Sequence, residues 1–238
     1  MRAAGPALIS TAVLLAAHAA PAVSLFPQGR LLFPVIDRID ADGAIALTFD
    51  DGPDRGLDAF LKLLEKYGAQ ATFFVVGEQI KDDPGKLKEI VSRGHEVAVH
   101  CYRHRNHLRL FPGPAVEDMR RARRITEETA ERTTRFFRPP YGTFNLASWL
   151  EASRQGWERV LWTRWGRDWE ARATPWTIVD EIGYPEAGDI LLLHDSDRYS
   201  ALGSWQHSLK ALPIILGRAS SLGLRVCTLG DLLDARGC

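Results

Sequence analysis

The sequence predicts an α/β fold, a parallel sheet covered by helices and rolled into a barrel or distorted barrel. Three observations predict it. From residue 44 onward, short and nearly continuous apolar runs alternate with amphipathic stretches, the pattern of strands buried on both faces. About seven such units follow one another with no internal repeat and no linker dividing them. The chain of 238 residues is long enough for one domain with a sizeable core.

The elements follow in order. The run at 44–49 is a strand. Leu57, Phe60, Leu61 and Leu64 recur at helical spacing and predict a helix over 57–67, stopped at Gly68. The run ATFFVV (71–76) is a second strand, 84–92 a helix with Gly94 after it, and HEVAVH (95–100) a third strand. Pro114 suits a helix first turn, with the helix following over 116–129. Later strands are expected at 134–137, 160–163, 189–193 and 224–227, and helices at 145–154, 176–182, 205–221 and 229–235. Pro213 predicts a kink or a split in the helix of 205–221.

The N-terminus reads differently. Residues 7–17 are apolar over the length of a signal-peptide core, and AHA at 17–19 resembles a small-residue cleavage site. The run is too short for a membrane span of ~20 residues. A secreted or membrane- or envelope-associated location follows. The alternatives are an uncleaved anchor, a helix packed on the domain, or a cytoplasmic protein. Residues 21–34 carry three prolines and read as a linker. The expected division is thus 1–34 for the hydrophobic segment and linker, and 35–238 for the domain.

Lys plus Arg equals Asp plus Glu, 30 against 30, which gives no support to nucleic-acid binding. Arg120, Arg121, Arg123 and Arg124 form a local basic patch. It reads as a solvated helix face, or more sharply as a surface for an anionic substrate or cell-wall polymer. Three cysteines with no regular spacing and no CxxC make neither a disulfide framework nor a cysteine zinc site, and Cys227 reads as core.

In βα-barrels chemistry sits at the C-terminal ends of strands, and the polar residues of this chain fall there. The first strand ends in Asp50 and Asp51. The third ends in His100, followed by His104. Arg138 opens RPPYG, Asp168 and Trp169 follow the 160–163 run, and ILLLHD ends in His194 and Asp195. Histidines at i and i+4 on one turn can hold one divalent metal, with His107 as an alternative partner. A carboxylate from Asp50 or Asp51 would complete a His₂Asp site, a donor set that suits zinc. The other aspartate is then free to act as a base on water at the metal. His194 is the best general acid, Asp168 can hold its tautomer, and Arg138 can pair with the base. Taken singly these residues have plainer readings: a capping Asp-Gly-Pro turn, a core histidine, a surface charge, a strand-end ion pair. Together, in this order, they do not.

TFDDGP, HCYRH, RPPYG, GRDW and LLLHD resemble, in order, the five signature segments of the polysaccharide deacetylases, carbohydrate esterase family 4. The resemblance covers residues from about 44 to 233. It implies a distorted (β/α)7-type barrel in a single catalytic domain. It also implies metal-dependent hydrolysis of linear amides, removing N-acetyl or less often O-acetyl groups from a glycan. By the same resemblance Asp50 is the base and Asp51, His100 and His104 bind the metal, zinc first with cobalt or nickel as alternatives. Arg138 orients the base, the Tyr141 amide stabilises the oxyanion, His194 is the acid and Asp168 its partner. Leu192 and Trp169 wall the acetyl pocket.

One position departs from the family: Cys101 stands where a serine or threonine usually ties down the metal loop, and Asn106 is the expected substitute. Chitooligosaccharide, peptidoglycan, poly-N-acetylglucosamine and acetylated xylan all fit as substrates, with 108–114 and 197–205 as rim loops. Trp162, Trp165, Trp169, Trp176 and Trp205 read mainly as core, some as cleft lining. The chain is expected to act as a monomer. The rival readings are a catalytically inactive glycan binder and an amidohydrolase acting on a non-sugar amide.

Overall fold

Strand β1 (Ala44–Asp50) is buried along its whole length and pairs with three neighbours. A computed structural model describes residues 5–234. Around β1 lie β2 (Thr72–Val76), β3 (Glu96–Cys101), β4 (Phe136–Phe137), β5 (Glu158–Arg159), β6 (Arg164–Trp165), β7 (Ile190–His194) and β8 (Arg225–Cys227). Their order is β5-β4-β3-β2-β1-β7-β6, with β8 also on β1. Every ladder is parallel, so each connection crosses over through a helix or long loop and all strand C-termini share one end.

The helices are α1 (Gly5–Ala19), α2 (Leu57–Lys66), α3 (Gly77–Asp82), α4 (Pro84–Ser92), α5 (Pro112–Ala130), α6 (Leu146–Arg154), α7 (Pro175–Ile182), α8 (Ser204–Ser221) and α9 (Leu229–Leu233). Asn145 and Thr174 close capping boxes on α6 and α7, which fixes where those helices begin. Two apolar layers result. Phe49, Phe73, Leu191 and Leu193 face the helices outside, against Leu61, Ile178 and Ile215. Ala46, Phe74, Ala98, Phe136 and Ile190 face inward. The alanines keep the barrel interior open beside Phe74, and the Arg138 guanidinium lies 4.0 Å from the Phe74 ring centre.

The ladder does not close, since β5 and β6 are not paired with each other. Residues 36–39 fill that seam. Ile36 donates to Arg159 O and accepts from Leu161 N, both at 2.8 Å, and Ile39 donates to Gly188 O at 2.9 Å. Arg38 and Arg164 both reach the buried Asp189. The barrel is therefore distorted as expected, with a non-ladder segment as its last stave.

Three expectations need correction, and one helix goes unread in the sequence. The strand read at 160–163 is instead the link between β5 and β6, because the seam segment takes the hydrogen bonds of Ile36 and Leu161 there. Helix α3 is too short for its pattern to stand out. Helix α8 runs through Pro213 without a break, since Leu212, Ile215 and Leu216 are buried on the core around it. Residues 21–34 are not a loose linker. Prolines start two 3₁₀ turns, Ala20–Leu25 and Pro27–Leu31, with Pro21, Ser24 and Gly29 buried. Phe33 packs edge-on against Trp149 at 5.2 Å.

The last residue of the helix read at 229–235 lies outside the described residues. Helix α1 packs near α6, and His18 Nε2 donates to Leu108 O at 3.2 Å. Among the described residues no helix is long and apolar enough to cross a membrane. Cys227 is buried and disulfide-bonded, whereas the sequence offered only a core role; Cys101 is free and buried.

Candidate active site

The strand ends converge as the barrel rule requires. Asp50 and His194 are direct register partners on β1 and β7. Asp51 turns away from the strand with φ of +76°, and the Gln79 amide, on α3, donates to its carbonyl. Val76 N holds Gly52 O at 2.8 Å. The backbone thus reverses at once, placing two adjacent carboxylates in different surroundings.

Asp51 Oδ1 lies 3.4 Å from His100 Nε2 and 3.2 Å from His104 Nε2. The three ligand atoms all fall within 4.8 Å of one another. His100 Nδ1 donates to the Arg138 carbonyl at 2.7 Å. A carbonyl only accepts, so the neutral ring presents its Nε2 lone pair to the cluster. Asp51 Oδ1 and His104 Nδ1 are buried with no hydrogen-bond partner. Burial alone would raise the Asp51 carboxyl, yet the facing imidazoles of His100 and His104 hold it well below the usual range. A buried anion facing two imidazole nitrogens fits a divalent cation. His107, the alternative ligand, is not in the cluster: it is fully buried against Phe137, and burial pushes it down to about 3.

Asp50 accepts from Arg138 Nη1 at 2.6 Å. The fully buried guanidinium is itself fixed by Thr48 Oγ1 at 2.9 Å and Leu161 O at 2.8 Å. His194 Nδ1 meets Asp168 Oδ1 at 2.8 Å, and the His194 amide donates to Asp168 Oδ2 at 2.7 Å. Ser208 on α8 donates to the same oxygen at 2.6 Å. His194 Nε2 points back to within 4.0 Å of Asp51. Burial would lower His194, but the charge and hydrogen bond of Asp168, then Asp51 and Asp50, push it up to about 10.

One cleft is lined by Asp50, Asp51, His100, His104, Tyr141, Trp169, Leu192 and His194. Arg138 and Asp168 sit behind it. Tyr141 has φ of +60°, and its ring lies 4.9 Å from His104. Three aromatic lining residues have no individual role in the sequence reading, Trp162 and Trp165 being read mainly as core. Trp162 and Trp165 extend Trp169 into an aromatic row, with ring centres 5.4 and 4.9 Å apart. Tyr199 stacks on His104 at 4.4 Å and 15°. The tryptophan row was visible as WTRWGRDW; nothing local marks Tyr199, which sits in the expected 197–205 rim loop. Trp205 packs on the core and Trp176 is exposed.

The metal loop is held without a hydroxyl at Cys101. Asp118 on α5 accepts from the Tyr102 amide at 2.7 Å, the Arg103 amide at 3.2 Å and Arg105 Nη2 at 2.8 Å. Asn106, the expected substitute, fixes the loop exit through Leu108 N at 2.9 Å and Thr143 Oγ1 at 3.2 Å.

A parallel half-barrel thus carries at its strand ends an Asp-His-His cluster, a buried Asp50–Arg138 ion pair and an aspartate-backed histidine. The polysaccharide deacetylase profile matches residues 37–160, and the chain belongs to that family. A peptidoglycan-N-acetylglucosamine deacetylase of Bacillus cereus is 32% identical over 195 residues, 79% of this chain and 87% of that one. A solved peptidoglycan N-acetylglucosamine deacetylase superposes with a TM-score of 0.76 at 26% identity, over 86% of this chain and 96% of the other. A carbohydrate esterase family 4 pseudoenzyme from Bacillus anthracis has a TM-score of 0.72 at 25% identity, over 83% and 68%. The chain is thus a polysaccharide deacetylase with the family fold.

Proposed function

We propose that the chain is a divalent-metal-dependent deacetylase removing N-acetyl groups from a cell-envelope glycan. The observation that carries this is the convergence on one cleft of the Asp51–His100–His104 cluster, the Arg138-held Asp50 and the Asp168-held His194.

Asp51, His100 and His104 would hold the cation, zinc by the donor set. When bound it supplies Lewis acidity to the acetyl carbonyl and to the attacking water. Asp50 accepts the proton of that water, its orientation set from behind by Arg138. The Tyr141 amide donates to the developing oxyanion. His194 carries a proton at neutral pH and passes it to the departing amine as the C–N bond breaks, and Asp168 steadies the ring throughout. Leu192 and Trp169 flank the acetyl methyl, and the tryptophan row offers faces on which sugar rings stack. The peptidoglycan deacetylases among the relatives favour wall glycan as substrate and an exported location, with residues 35–238 as the catalytic domain.

The test is acetate release from N-acetylated glycan oligomers, abolished by chelator and restored by zinc or cobalt, with metal content measured on the same sample. Release unchanged in Asp50→Asn would sink the mechanism. The pseudoenzyme among the structural neighbours favours one second reading, an inactive glycan binder. Glycan binding with no acetate released by metal-loaded protein would establish it.

A further inference from the structure

A second concavity lies on the same end of the barrel, against the outer side of the metal loop. It is lined by Glu78, Lys81 and Asp82 of α3, Tyr102 and Arg103 of the loop between His100 and His104, Arg121 of α5, and Arg198 beside Tyr199. Four bases thus face two acids. The acids are engaged: Glu78 with Arg103 at 2.9 Å, Asp82 with Arg198 at 3.2 Å. Arg198 also approaches Asp54 at 3.6 Å.

Arg121 and Lys81 remain without a carboxylate partner among the described residues. The neighbours of Arg121 on α5 are spent elsewhere, Arg120 on Glu151 and Arg123 on Glu127. Arg121 is instead held flat, its guanidinium 3.7 Å from the ring centre of the buried Tyr102. A stacked guanidinium keeps its edge free and pre-oriented for a planar anion, and carboxylate matches that fork in two hydrogen bonds. Gly77 makes this possible, because a Cβ there would stand 2.5 Å from the Tyr102 ring.

We propose that this shelf is a subsite for a carboxylate on the glycan chain, with Arg121 as the fork and Lys81 as the supporting charge. The inference rests on the deacetylase reading of the neighbouring cleft. Tyr102 and Arg103 of the shelf directly precede His104 of the cleft, and Arg198 of the shelf adjoins Tyr199 of the cleft, so a glycan chain seated in the cleft can extend onto the shelf. The excess of two cations suits a single carboxylate; a polyanion such as nucleic acid would meet Glu78 and Asp82 as well.

The experiment compares acetate release from glycan strands freed of stem peptides, whose lactyl carboxylates are exposed, with the same strands methyl-esterified. Wild type shows kcat/KM about tenfold higher on the charged strands, expressed in KM and weakened by salt. Arg121→Gln and Lys81→Gln each shrink that ratio toward one while leaving the esterified strands unaffected. Lys81 is exposed, so its variant folds normally. Arg121→Lys keeps part of the ratio. Equal kcat/KM on both strands in wild type, or equal losses on both in the variants, overturns the subsite. If wild type releases acetate from neither, the deacetylase reading fails on its own. The subsite is then judged by calorimetric binding of charged against esterified strands, and equal affinities overturn it.

Discussion

Arg138 grips Asp50 from the interior of the barrel, on the side away from the cleft. The carboxylate therefore shows one face to solvent chemistry and the other to a guanidinium with no exposure of its own. The orientation of Asp50 and the stability of the fold are coupled at this contact, because the pair is a buried ion pair as well as the proposed support of the base.

Breaking the pair on one side exposes that coupling. Arg138→Met should lower the stability by about 3–5 kcal/mol, the cost of stranding a buried charge. It should also reduce kcat by about a hundredfold or more through a misplaced base. The double variant Asp50→Asn with Arg138→Met should regain much of the stability and none of the activity. Denaturant unfolding and acetate release on the same proteins check both halves.

The acid can be tested through pH. His194 is held up to about 10 by Asp168 first and then by Asp51 and Asp50. A general acid must carry its proton, so activity is lost as pH rises through that value. The basic limb of kcat therefore lies at or below about 10 once a cation balances Asp51. Asp168→Asn removes the largest raising influence, so the limb should move down toward ~6.5, the ordinary histidine value. Ser208→Ala removes one hydrogen bond from Asp168 and should give only a small displacement in the same direction. A limb that stays put in Asp168→Asn would separate Asp168 from the acid.

The loop between His100 and His104 depends on Asp118, which gathers two backbone amides and Arg105. Asp118→Ala leaves those donors unpaired at a cost of about 1–3 kcal/mol each where buried, and should weaken metal retention tenfold or more. Cys101→Ser should change metal retention by less than about threefold, since Asp118 already does the tethering. Metal content after graded chelator treatment ranks the two variants, and the reverse ranking would return the tether to residue 101.

His107 sets an acid limit. It is buried with both ring nitrogens unpartnered, and burial holds it neutral down to about 3. The unfolded chain takes up that proton near ~6.5, so folding stability drains away as pH falls from there toward 3. His107→Leu should add about 3 kcal/mol at pH 4 compared with its effect at pH 8. Urea midpoints at the two pH values measure the difference.

The sequence made the site more legible than the fold's edges. Paired aspartates, HxxxH and a terminal histidine sit just beyond apolar runs, and strand ends in a parallel barrel share one rim, so order alone nearly placed them. The helical turn expected for His100 and His104 is absent: His100 lies in β3 and His104 on a non-helical loop, so tertiary packing rather than helical spacing brings the two rings together. What stayed hidden was non-local. Residues 160–163 carry a strand's composition but lie at a seam whose partner, Ile36, is more than a hundred residues away. Tyr199 covers His104 from a loop with no pattern. Asp118 sits on an ordinary helix, and only the packing of α5 against β3 brings it under the metal loop.

Gly142, next to Tyr141, sits between Trp162 and Leu25: an added Cβ would stand 2.9 Å from one and 3.1 Å from the other. Leu25 belongs to the 3₁₀ turn that follows α1. Gly142 on the rim of the cleft thus packs against a residue close behind α1. Cutting after the AHA at 17–19 would leave Leu25 beside Gly142, and cutting any later than Leu25 would remove it. If the chain is processed, the point of cutting would therefore decide whether the support behind Tyr141 and Gly142 is kept.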